Sequence, residues 1–204
     1  MATCYEEPGR LSLVCPNVTQ VREQYDDADL VKLLRYGRKR NGALVDFMPW
    51  DMYARLSDQD MGNVLAFVRT APAVHGPPLP ASTYSLVTRV QMLWGEYPLP
   101  VNLDRYDSTP LSGQVERGRY LASIACPECH APDLRGFQGD DAPNLIVAKA
   151  YSAAAFTKLL REGITVDGGE SRSGLMTMMA RTRFKFFRQE EIEALKAYLD
   201  QRAP

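Results

Sequence analysis

Histidine and cysteine are scarce in this chain, and their scarcity limits the metal and redox chemistry it can support. Among 204 residues there are two histidines, His75 and His130, and four cysteines, Cys4, Cys15, Cys126 and Cys129. A structural zinc site wants two Cys/His pairs close together, and a thioredoxin-like dithiol wants a βαβ setting. Neither pattern is present. The sequence also lacks a run of roughly 18 apolar residues, so no segment reads as a membrane-spanning helix. It lacks an excess of positive charge: the formal net charge is −1, which argues against a nucleic-acid partner. The first residues, Met1-Ala2-Thr3-Cys4-Tyr5-Glu6-Glu7, have neither the basic nor the apolar region of an export signal.

Against this background one stretch stands out, Cys126-Pro127-Glu128-Cys129-His130. Two thiols three positions apart on one helical turn, followed at once by an imidazole, have the spacing of covalent haem attachment. The cysteines bond the two vinyl-derived carbons as thioethers, and the histidine ligates the iron. The bland alternatives are half of a zinc site or a dithiol. Thioether attachment in bacteria follows export, so the chain is expected to be periplasmic, with a processed, truncated or mis-started N-terminus.

A hidden repeat organises the rest. Tyr25 to Gly37 lines up with Tyr151 to Gly163 at an offset of 126, each reading as a short helix closed by glycine. Pro16-Asn17-Val18 matches Pro143-Asn144-Leu145, and Ser57 to Val68 matches Arg188 to Leu199. In the second copy Ile192, Leu195, Tyr198 and Leu199 form one apolar stripe. The expected fold is therefore all-α, with two tandem helical domains at 1–72 and 113–204. A Pro-rich connector at 73–112 joins them, with a helix near Tyr84–Trp94 that straps across both. Carried back to the N-terminus as an offset of about 125, the repeat lays Met1 to Tyr5 over Cys126 to His130. The first domain then has a damaged motif and is expected to hold no haem, although it keeps Met48 at the position of a sixth ligand. Tyr5 as an iron ligand is the sharper alternative, and a Cys4–Cys15 disulfide is a third reading.

In the second domain the sixth ligand should be a soft donor downstream, and Met176, Met178 and Met179 cluster there. The repeat spacing favours Met179, because Met48 to Phe67 and Met179 to Tyr198 both span nineteen residues. His130 needs an acceptor for its second N–H, and the Pro143 carbonyl is a reasonable one. Between Ser171 and Gln189 stand Arg172, Arg181, Arg183, Lys185 and Arg188 with no acidic residue. They read as a basic rim for an acidic redox partner and for haem propionates, or as a solvated face.

These residues resemble the bacterial class I c-type cytochromes, and in particular the tandem, diheme-like members that serve periplasmic dehydrogenases and oxidases. The resemblance runs through Gly118-Arg119-Tyr120-Leu121, the Cys126–His130 motif, Pro143-Asn144-Leu145, the segment Gly174 to Phe184, and Glu190 to Leu199. In the first half it runs through Phe47 to Trp50, Leu56 to Asp60 and the Pro-rich connector. It implies two cytochrome c-like domains and one haem c on Cys126 and Cys129. His130 and Met176 would be axial ligands, with Met179 as the alternative, and the Pro143 carbonyl would support His130. It implies an electron carrier with redox-protein partners and no catalytic residues of its own. The rival class is a haem-based sensor or peroxidase-like protein with a labile sixth ligand.

Overall fold

In the computed structural model the described residues are 3–43, 45, 48, 50–77, 79–93, 112–137 and 142–202. The chain forms two compact units, Met1–Arg105 and Tyr106–Pro204. Both are mainly helical.

The first unit opens on an antiparallel hairpin, β1 (Thr3–Glu7) and β2 (Leu11–Val14), with β3 (Thr83–Tyr84) on the other edge of β2. Leu11 and Leu13 alternate inward along β2, the period-2 pattern of a half-buried strand. The helices that follow are α1 (Val18–Val21), α2 (Asp27–Tyr36), α3 (Trp50–Ala54), α4 (Asp58–Thr70) and α5 (Leu86–Leu93). The second unit contains α6 (Gln114–Ala125), α7 (Pro127–His130), α8 (Ala153–Glu162), α9 (Leu175–Thr182) and α10 (Gln189–Gln201).

The repeat is visible down to single hydrogen bonds. Both α2 and α8 are ten residues long and end on a left-handed glycine, Gly37 and Gly163, while α4 and α10 are both thirteen. Asn17 Oδ1 accepts from the Thr19 N–H at 3.0 Å, and its counterpart Asn144 Oδ1 accepts from the Ile146 N–H at 2.9 Å. Arg35 Nη1 donates to the Ala54 carbonyl at 3.1 Å, and Arg161 Nη1 donates to the equivalent Lys185 carbonyl at 2.6 Å. Arg35 is buried. It also donates to the Leu56 carbonyl and to Asp58 Oδ1, which satisfies a guanidinium that would be costly to bury alone.

The correspondence begins at Asn17 and Asn144, not at the cysteines. Residues Thr3–Glu7 form a strand, whereas Pro127–His130 form a helical turn, so the numerical offset pairs positions of different conformation there. Met1 and the Cys4 side chain lie outside the described residues. Cys15 is disulfide-bonded, and Cys126 and Cys129 are in no disulfide. The proline-rich stretch is also more than a spacer. Ser82 Oγ accepts from the Val14 N–H, the Ser85 N–H donates to the Arg10 carbonyl, and Thr88 Oγ1 donates to the same carbonyl. These bonds fasten β3 and α5 to the hairpin within the first unit. Residues 94–111 lie outside the described ones.

In the second unit α6 and α10 cross closely beneath a core of Tyr120, Leu121, Phe156, Ile192, Leu195 and Leu199. In the first unit a strand hairpin precedes the repeat where the second has α6. Phe67, the counterpart of Tyr198, is accordingly 71% exposed.

Glu191 ties α6 to the start of α10. Its Oε2 accepts from the Arg188 N–H at 2.8 Å, and its Oε1 accepts from Arg188 Nη2 at 3.0 Å and from Arg117 Nη2 at 3.3 Å. Burial pushes this carboxyl up, but the Arg188 N–H, the Arg188 guanidinium and Arg117 together hold it below the usual carboxylate range. A folded-state value below the unfolded one gives stability that is present above the unfolded value and lost as pH falls through the folded one. Glu191→Gln should therefore cost about 1–2 kcal/mol at pH 7 and much less at pH 3, measured as urea midpoints at the two pH values. An equal loss at both would show that the charge is not what matters.

Candidate functional site

The site begins at the end of α6. Cys126 caps that helix, and Pro127 occupies the first position of α7, where its missing N–H costs nothing. One short turn thus presents Cys126, Cys129 and His130. Directly after it the backbone is forced into unusual conformations: Ala131 sits at φ 61°, ψ 160° and Leu134 at φ 61°. Non-glycine residues rarely occupy this region, and such strain clusters at functional sites. Arg202 holds the strained turn by donating to the Asp133 and Leu134 carbonyls. The loop then folds back on itself. The Gly136 N–H donates to the His130 carbonyl, and the Leu145 N–H donates to the Leu134 carbonyl, both at 2.9 Å. Gly136 lies so close to the Ala142 carbonyl and to Pro143 that a Cβ there would collide with backbone.

The outcome of this folding is one hydrogen bond. His130 Nδ1 lies 2.8 Å from the Pro143 carbonyl. A carbonyl can only accept, so Nδ1 carries the proton and Nε2 is left with its lone pair, the state a metal ligand needs. Burial lowers the imidazole's proton affinity, partly offset by that same bond to Pro143, so the ring is neutral at pH 7. Burial also pushes the Cys126 thiol up to about 12, helped by Cys129. A reactive dithiol needs a low thiol value, so exchange chemistry is poorly served. Zinc is no better served, because no cluster of three or more His, Cys, Asp or Glu among the described residues is placed to hold an ion.

Cys126, Cys129, His130, Pro143, Met176 and Met179 all line a single cleft of about 720 Å³. Its volume falls in the range of sites for small molecules and cofactors. The walls are mainly apolar, including the stacked pair Phe184–Phe187 and the edge-on pair Tyr151–Phe156. Met176 and Met179 stand one turn apart on α9 and share its cleft-facing side, whereas Met178 is 47% exposed and does not line the cleft. The Met48 and Tyr5 alternatives of the first unit lie on a loop and on β1, and His75 is exposed.

The basic rim is largely neutralised by partners that sequence reading missed. Arg181 pairs with Glu170 at 2.7 Å, Arg183 with Glu128 at 3.0 Å, and Arg188 with Glu191 at 3.0 Å. Lys185 lies over the Phe186 ring. Of the five, Arg172 and Arg183 line the cleft.

An apolar cleft lined by two thiols, an imidazole and thioethers has the donors of a cytochrome c site, and comparison with known proteins points the same way. Residues 113–199 match the family model described as cytochrome C oxidase, cbb3-type, subunit III. The second unit is thus a cytochrome c domain, and haem c is the group such a domain takes. The chain is also 31% identical over 149 residues to the alcohol dehydrogenase (quinone) cytochrome c subunit of Gluconobacter oxydans. That match covers 70% of this chain and 29% of the relative. It is 28% identical over 126 residues to the fructose dehydrogenase cytochrome subunit of Gluconobacter japonicus, covering 58% of this chain and 26% of the relative. The chain spans less than a third of the length of these curated relatives. No helix among the described residues is long and apolar enough to cross a membrane.

Proposed function

We propose that the chain is an exported electron-transfer protein carrying one haem c, bound to Cys126 and Cys129 and ligated by His130 and a methionine of α9. The observation that carries this reading is the convergence of both thiols, the imidazole and two thioethers on one apolar cleft. When bound, haem c supplies a one-electron ferric/ferrous couple, and His/Met ligation raises its potential. The chain's own residues do the rest. Pro143 fixes the His130 tautomer, the aromatic pairs exclude water, and α9 offers the soft donor, with Met176 as first choice and Met179 as the alternative. With both axial positions filled no open site remains for a substrate, so the chain is not itself an enzyme. The first unit, which begins on a strand rather than a helical Cys/His turn, is read as haemless.

The names of the relatives, cytochrome subunits of an alcohol dehydrogenase (quinone) and of a fructose dehydrogenase, support a dehydrogenase as one partner; a downstream cytochrome or oxidase is proposed as the other. The disulfide at Cys15 suits an oxidising, extracytoplasmic compartment.

A pyridine haemochrome assay on denatured, acid-acetone-extracted protein tests the reading. One covalent haem per chain is expected in the wild type and none in the Cys126→Ala/Cys129→Ala double variant. No covalent haem in the wild type would end the proposal, and two per chain would end the haemless first unit.

A further inference from the structure

Haem c brings two propionate carboxylates, and an apolar cleft must supply charge to meet them. Among the described residues the charged side chains that line this cleft are Glu128, Arg172 and Arg183. Two of these satisfy each other, since Arg183 Nη1 lies 3.0 Å from Glu128 Oε2. That pair is anchored on α7, between the two cysteines, and so belongs to the haem edge that carries the thioethers. Propionates leave the porphyrin from the opposite edge, which leaves Arg172.

The surroundings of Arg172 fit this role. The nearby Glu170 is committed to Arg181, and Arg172 itself makes no ion pair among the described residues. Its backbone is fixed from both sides. The Ser171 N–H donates to Thr177 Oγ1 at 2.9 Å, and Ser171 Oγ accepts from the Thr177 N–H at 3.2 Å. Buried Thr177 in turn donates to the Gly163 carbonyl at 2.7 Å. The Gly174 N–H closes the turn onto the Ser171 carbonyl at 2.8 Å. An arginine with no acidic partner, on a stitched loop at the mouth of an apolar cleft, has the planar fork that recognises a carboxylate. We propose that Arg172 binds a haem propionate and thereby sets the redox potential of the domain. This rests on the haem-binding reading above.

The chemistry gives the sign. An ionised propionate favours ferric iron, and a guanidinium beside it cancels that preference, so Arg172 raises the midpoint potential. Arg172→Gln should lower it by about 59 mV, a tenfold change in the ferrous-to-ferric ratio at fixed applied potential. The freed propionate should also titrate nearer neutrality, so the variant's potential should fall with rising pH between pH 6 and 8 while the wild type stays flat. Arg172→Lys should restore most of the potential, and Arg183→Gln should leave the pH profile unchanged. Redox titration with a haemochrome assay on each preparation reads all of this. A haem-loaded Arg172→Gln variant with wild-type potential and pH profile would overturn the assignment, as would the shift appearing in Arg183→Gln instead. Absence of covalent haem from the wild type would overturn the haem-binding reading and this assignment together.

Discussion

Gly118→Ala is expected to destabilise the second unit by about 3 kcal/mol or more, seen as a drop in urea midpoint with an unchanged slope. Helix propensity alone points the other way, because alanine in a helix interior is favoured over glycine by about 1 kcal/mol. The crossing of α6 and α10 decides the sign. A Cβ at Gly118 would run into the Ala194 carbonyl and would approach Tyr198 Cβ to 2.8 Å. The first obstacle is backbone of a rigid helix, so relief requires α6 and α10 to separate. Separation would loosen Ile192, Leu195 and Leu199, which form the floor of the core. Gly62 in α4 is the internal control. A Cβ there meets nothing within 4 Å, so Gly62→Ala should stabilise the first unit by about 0.5–1 kcal/mol. If both substitutions stabilise, close packing at Gly118 is not what shapes this crossing.

That crossing was half legible in the sequence. The periodic stripe of α10 and the glycine of α6 are local signals, as are the glycine caps at Gly37 and Gly163, and the helices they imply are present. The sheet's third strand was not legible, because β2 is paired on that edge by Thr83–Tyr84, about seventy residues downstream, and no window of sequence contains both. An offset measured on helices was carried back into a segment with a different conformation. The repeat is physical from Asn17 onward, where side-chain caps and the Arg35 and Arg161 bonds recur. Ahead of that point the numbering still runs but the structure does not follow it.

The site divides in the same way. The spacing of Cys126, Cys129 and His130 is itself the chemistry, and valence demands an acceptor beside His130, for which the resemblance offers the Pro143 carbonyl. The rim failed as a count of charges because partners decide what charge is worth. Glu170, Glu128 and Glu191 silence three of its five cations, and Glu128 lies 55 residues from the arginine it meets. Of the three clustered methionines the resemblance favours Met176 and the repeat Met179, and on α9 those two line the cleft while Met178 is half exposed.

Between the remaining two, Met176→Ala is expected to abolish the far-red thioether band of the ferric protein, and Met179→Ala to leave it intact. Both side chains line the cleft on one side of α9, in the first and second turns respectively. Met176, in the first turn, is partly buried and packs against the same core that Cys126 meets. The resemblance to tandem cytochromes also points to Met176, and the nineteen-residue spacing of the repeat points to Met179. Loss of the thioether removes a donor that favours ferrous iron, so the midpoint should fall by at least ~120 mV, two decades at 59 mV each. Covalent haem should remain at one per chain in both variants, since Cys126 and Cys129 are untouched. A band lost in Met179→Ala and kept in Met176→Ala would assign the ligand by the repeat instead. A band kept in both would remove α9 as the source of the sixth ligand.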